Sequence, residues 1–139
     1  MTTPQASAPE VLDESTCWEL LATTDLGRIA ISTAEGPDIF PINFLVKDRE
    51  IFFSSAPGTK LVELTAEPVV AFEADGVHDR KRWSVVVRGG ATRLSFDADI
   101  TAAGVHELAT MTATDKWNYV RIAPTSITGR RFSALRHLS

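Results

Sequence analysis

The sequence predicts a mainly β chain with a few short helices, closed into a barrel. Three observations lead there. Apolar runs of strand length recur along the chain, each bounded by Gly, Pro, Asp or Asn. Helical patterns are few and short. Strands do not alternate with long helices, as they would in a parallel βαβ sheet. At 139 residues the chain is sized for one domain around one core.

The elements follow in order. Residues 1–12 read as a flexible lead, because the first ten are rich in Thr, Pro, Ala and Ser and have no apolar period. The folded domain is expected over 13–139. Asp13 or Ser15 can cap a short helix reaching about Thr23, with Cys17, Leu20 and Leu21 on one buried face. Residues 26–33 form a strand, 34–38 its turn, and 39–46 a second strand in which Pro41 implies an edge or a bulge. Lys47, Asp48 and Arg49 turn the chain into a third strand from Glu50, and a meander is the economical arrangement of the three. A short helix is expected over 59–66, then a strand over 68–74. Residues 75–82 read as a polar loop carrying Arg80, Lys81 and Arg82, a solvated triplet rather than an anion site.

The longest strand is expected over 83–95. Val85, Val86 and Val87 suggest burial on both faces, and Gly89-Gly90 a bulge or sharp bend. Asp97 or Asp99 can cap a helix reaching about Thr110. Residues 117–122 and 126–132 supply a last strand or pair, interrupted at Pro124.

Composition excludes several classes. A net charge of -4 argues against a nucleic-acid binder, which needs a basic surface to meet phosphates. The single cysteine rules out an internal disulfide and fits a reducing compartment. No apolar run approaches the roughly 20 residues of a membrane span, and the N-terminus lacks signal-peptide character. The expectation is a cytoplasmic protein with no membrane partner.

Side-chain catalysis finds little support. His78, His106 and His137 are scattered and show no metal-ligand spacing, so no metal is expected. Trp18, Trp83 and Trp117 read as core residues before ligand platforms. No neighbour lowers the Cys17 pKa, so it reads as core and not as a nucleophile. No carboxylate pair stands out as acid and base. Catalytic residues stay unassigned, and any chemistry falls to a cofactor.

One stretch has anion-site character. Residues 50–61 run from an apolar strand through Pro57-Gly58 into Thr59-Lys60 at the start of a helical segment. The free N–H groups of a first helical turn favour a phosphate, and Lys60, Ser54, Ser55 and Thr59 add a charge and hydroxyl donors. The same residues also make an ordinary strand-turn-helix link with a surface lysine.

The ordered set of segments resembles the pyridoxamine 5′-phosphate oxidase-like, flavin-binding split-barrel family. The matching pieces are Leu26-Gly27-Arg28-Ile29-Ala30, Pro41-Ile42-Asn43-Phe44, Ile51-Phe52-Phe53, and Pro57-Gly58-Thr59-Lys60. They continue with Pro68-Val69-Val70-Ala71-Phe72-Glu73, Trp83-Ser84-Val85-Val86-Val87-Arg88-Gly89, and Ile127-Thr128-Gly129-Arg130-Arg131.

The resemblance implies a six-stranded antiparallel split β-barrel that forms a homodimer and holds FMN between subunits. It implies that Pro41, Ile42, Asn43 and Phe44 lie beside the flavin ring, and that Ser54, Ser55, Thr59 and Lys60 hold the phosphate. Trp83, Ser84 and Arg88 would lie near the flavin, from the same or the partner subunit, and Arg130 on the ring or substrate side. Proteins of this type often carry an arginine where this chain has Ser54, and a serine cannot replace that bidentate charge. The function implied is an FMN-dependent oxidoreductase acting on a small-molecule substrate that the sequence does not name. Alternatives are a deazaflavin-dependent reductase and a non-catalytic flavin-binding carrier.

Overall fold

The computed structural model describes residues 9–55, 69–94 and 118–133. Within them the chain forms β1 (Glu10–Val11), α1 (Glu14–Leu21), β2 (Leu26–Thr33), β3 (Gly36–Lys47), β4 (Glu50–Ser55), β5 (Val69–His78), β6 (Lys81–Leu94) and β7 (Asn118–Ser133). Every pairing is antiparallel. The strands run β7-β4-β3-β2-β5-β6, and β6 pairs back onto β7, so six strands close into a barrel. β1 adds to the far end of β7, where Glu10 lies opposite Arg131. The mainly β barrel and the β2-β3-β4 meander are as the sequence predicts. The segments expected as helices at 59–66 and 97–110 lie outside the described residues.

Period-2 alternation fills the barrel. Ile29 and Ile31 point inward from β2, Ile42 and Phe44 from β3, and Ile51 and Phe53 from β4. Val70, Phe72 and Ala74 complete the interior from β5, Val85 and Val87 from β6, and Val120 and Ile122 from β7. α1 joins the same cluster through Cys17, Trp18, Leu20 and Leu21. Its start is capped by Asp13, whose Oδ1 accepts the Thr16 N–H at 2.8 Å. That hydrogen bond holds the Asp13 carboxyl below its ordinary pKa. The helix end of the core needs Gly129: a Cβ there would stand 2.5 Å from Cys17 Sγ.

Both prolines of β3 obey the ladder. The Phe44 N–H donates to the Asp25 carbonyl at 2.9 Å. Hydrogen-bonded pairs alternate along an antiparallel ladder, so Pro37 and Pro41 fall at positions whose nitrogens face away from β2. On that other side the β4 register reaches only from Lys47 to Phe44. Pro41 therefore sits on a local edge, as expected.

Three expectations need correction. The 75–82 loop is instead a tight hairpin, with β5 running to His78 and β6 starting at Lys81. Asp79 and Arg80 have φ of 55° and 66°, and Asp48 and Arg49 have 52° and 59°. Consecutive positive φ values belong to type I′ turns, which usually advertise themselves with glycine. Neither turn contains one, so the polar residues hid the hairpin at 75–82.

The last strand is one element of 16 residues, not a pair broken at Pro124. A bulge absorbs the interruption: Arg88 pairs with Ser126 and Gly89 with Pro124, leaving Thr125 as the extra residue. The Thr125 hydroxyl donates to the Arg88 carbonyl at 3.1 Å. A side chain at Gly89 would collide with the Ala123 carbonyl, so the bulge expected at Gly89-Gly90 is present and requires the glycine. Finally, the valine run is not buried on both faces. Val85 and Val87 are fully buried, while Val86 is half-exposed on the outer wall.

Candidate functional site

The barrel interior is filled with side chains, so a ligand site belongs on the outer wall. Register decides which expected residues reach it. Pro41 and Asn43 point outward and are exposed, whereas Ile42 and Phe44 are 5% and 4% exposed in the core. The backbone N–H of Phe44 is also taken up, by the Asp25 carbonyl. Trp83 is likewise inside, 2% exposed, its ring lying against Gly76. Ser84 and Arg130 face each other across β6 and β7 on the outer wall. Arg88 is also outward, opposite Ala71 and Ser126.

Ser54 is half-buried on β4 and pairs with Tyr119. The β3–β4 pairing stops one residue short of it, at Phe44 opposite Phe53. Ser55 ends β4, opposite Asn118. Thr59 and Lys60 lie outside the described residues.

The structure therefore divides the expected residues into two outward sets. Pro41, Asn43 and Ser54 stand on β3 and β4; Ser84, Arg88 and Arg130 stand on β6 and β7. One row links them across the wall, from Pro41 through Arg28, Glu73 and Val86 to Thr128. From β3 to β6 that row crosses three strand spacings, roughly 14 Å.

Between the sets lies a hollow lined by Arg28, Ala30, Ile39, Ala71, Glu73 and Val86. Its polar end was not anticipated from the sequence. Arg28 Nε and Nη2 both donate to Glu73 Oε1 at 2.7 Å, and Nη2 approaches Asp75 Oδ1 at 3.1 Å. Burial pushes the Glu73 carboxyl above its ordinary pKa, and a hydrogen bond with Asp75 pushes it the same way, against the pull of Arg28. The Arg28 guanidinium is held more firmly protonated by Glu73. The signal was present in the chain: Glu73 and Asp75 are two apart in a strand, so they share a face.

A second depression lies by Glu14, Trp18, Arg49 and the β7 bulge. Arg49 is already engaged there, donating to Ser15 Oγ at 3.0 Å and standing 3.8 Å from Glu14. Cys17 is fully buried, and burial pushes its thiol pKa up, ahead of the neighbouring Asp13 and Glu14 charges. That is the reverse of what a nucleophile needs. Among the described residues no cluster of His, Cys, Asp and Glu has metal-site geometry, and no helix is long and apolar enough to cross a membrane.

This barrel, with its filled interior and two-part outer wall, has clear relatives. The family model described as pyridoxamine 5′-phosphate oxidase matches residues 13–131, and the chain belongs to that family. A solved structure described as the FAD binding protein from Mycobacterium smegmatis is 43% identical. The match covers 89% of this chain and 98% of that one, with a TM-score of 0.76. A FAD-binding protein from Mesorhizobium loti shares the fold at 24% identity and a TM-score of 0.80, covering 91% of this chain and 98% of that one. An uncharacterised protein of Mycobacterium tuberculosis H37Rv is 41% identical over 88 residues, 63% of this chain and 80% of that protein.

Proposed function

We propose that the protein is an FMN-dependent oxidoreductase whose flavin sits on the outer wall between two copies of the chain, acting on a small-molecule substrate. The observation that carries this reading is the division of the outward residues into two sets on a chain of this family. Pro41 and Asn43 on β3 stand three strand spacings from Ser84 and Arg88 on β6 within one barrel, and a second copy would bring one group against the other. Pro41 and Asn43 form the ring side, with Ile42 and Phe44 packed behind them in the core. Ser54 and Ser55 begin the phosphate side, which the sequence extends to Thr59 and Lys60. Ser84, Arg88 and Arg130 form the facing contribution, with Trp83 packed behind Ser84. When bound, the flavin supplies the electron chemistry, and these residues bind and orient it.

FAD is the second reading, favoured by the 43% identical Mycobacterium smegmatis protein described as FAD-binding. The test is titration of purified protein with FMN, FAD and a deazaflavin by fluorescence quenching, with the dimer followed by light scattering. FMN uptake by a dimer, followed by reduction with NADH or NADPH, is the expected result. Preference for the deazaflavin indicates a deazaflavin-dependent reductase, and tight binding without reduction a carrier. Protein that takes up no flavin refutes the reading.

A further inference from the structure

The outer wall over β4 and the start of β7 differs from the rest of the barrel surface. Leu45, Phe52, Arg121 and Thr92 form one row across β3, β4, β7 and β6. The adjoining row carries Ser54, Tyr119 and Leu94. These residues point away from the interior, yet Phe52 is 2% exposed and Tyr119 and Leu94 are each 8% exposed. Arg121, partly buried, stands opposite Phe52 and next but one to Tyr119 on β7. Its Nε is buried and finds no hydrogen-bond partner among the described residues.

A guanidinium is always charged and presents its donors in a fixed fork. Leaving such a donor desolvated and unpaired is costly, and native structures retain few. An anion at this place removes the cost. The neighbouring residue that would share the anion is Ser54. It pairs with Tyr119, one step diagonally from the Phe52–Arg121 pair, and diagonal neighbours lie roughly 7–8 Å apart, within the reach of an arginine. Ser54 offers a hydroxyl donor but no charge. Arg121, on the adjacent strand, offers the charge.

We infer that Arg121 is a phosphate-binding residue of the flavin site, working with Ser54 across the β4–β7 ladder. The inference rests on the flavin reading and deepens it: the ligand is the phosphate or pyrophosphate of a flavin nucleotide. The charge at the phosphate end thus comes from the last strand of the barrel, far in sequence from the residues 50–61 that first suggested the site.

The test compares Arg121→Met with the wild-type protein, using FMN, FAD and riboflavin as probes. Riboflavin has the ring system but no phosphate. Loss of a charge-assisted hydrogen bond of this kind weakens FMN by about ten- to a hundredfold, while riboflavin affinity stays unchanged. Comparable losses for FMN and FAD indicate contact with a phosphate both share; a loss confined to FAD indicates its pyrophosphate. Arg121→Lys keeps the charge without the fork and falls between, and it carries the comparison if the methionine variant does not fold.

A second readout is the melting temperature of the flavin-free protein. Methionine keeps the apolar stem and removes the unpaired donor, so Arg121→Met melts no lower than wild type. A purely structural arginine gives the opposite pattern: a lower melting temperature, with FMN and riboflavin weakened equally. That pattern, or unchanged FMN affinity, overturns the inference and leaves the flavin reading standing. Wild-type protein that binds no flavin overturns both.

Discussion

Gly27→Ala tests the packing that carries the site. Gly27 lies on β2, next to Arg28 at the polar end of the outer hollow. A Cβ there would stand 2.6 Å from both Cε1 and Cζ of Phe72 and 2.8 Å from the Glu73 carbonyl oxygen. Ordinary carbon contacts sit near 3.5–4.0 Å, so the overlap is roughly 1 Å with each atom. The ring cannot swing away freely. Phe72 is fully buried and stacks edge-on against Phe44, centroids 4.8 Å apart at 67°. The carbonyl belongs to the β2–β5 ladder, where Arg28 faces Glu73, and is less free still.

Overpacking of this kind costs about 1–3 kcal/mol, offset by about 0.4–1 kcal/mol because alanine restricts the unfolded chain. A net loss of about 1–2 kcal/mol lowers Tm by about 3–8 °C in a domain of this size. The assay is thermal unfolding followed by circular dichroism, on Gly27→Ala, Phe72→Leu and the double variant. Trimming the ring removes part of the clash, so the double variant loses less than the sum of the singles by at least about 0.5 kcal/mol. A Gly27→Ala protein melting within about 1 °C of wild type, or strict additivity, refutes the reasoning.

Other consequences follow from the same geometry. Cys17 reacts with a thiol reagent only as the protein unfolds, because its sulfur is fully buried and its pKa raised; rapid stoichiometric labelling of the native protein would contradict this. Glu73 binds its proton more tightly folded than unfolded, so its share of stability is present below pH 4.5 and lost as pH rises through its raised folded value. Glu73→Gln removes that decline, which urea melts across the acid range will show as a flatter profile above pH 4.5. Arg80→Gly relieves a left-handed backbone at φ 66° and raises stability by about 0.5–1 kcal/mol, unless equilibrium unfolding shows no gain.

Much of the barrel was legible because local patterns agreed with the fold. Leu26–Thr33 is a strand with the bounds its alternation suggests, and Asp13 caps α1 as its position before Glu14 implies. The hairpin at 79–80 was not legible, since charged residues in left-handed conformations carry no glycine signal. The continuity of β7 was hidden for a related reason. Pro124 looks like a stop until Gly89 on the partner strand makes room for a bulge, and that partner is a non-local fact.

What the sequence by itself determined is the mainly β barrel and the meander of β2, β3 and β4. These depend on periodicity, turn residues and caps, all of which act within a few positions along the chain. The tertiary structure alone decided which faces the residues take and which become neighbours. It turned Ile42, Phe44 and Trp83 into the core and assembled Arg28 with Glu73 and Asp75. It also placed Arg121 one diagonal step from Ser54, though more than sixty positions separate them in the chain. Ladder register does this: a shift of one residue reverses every side chain, and register is fixed by pairing between distant strands.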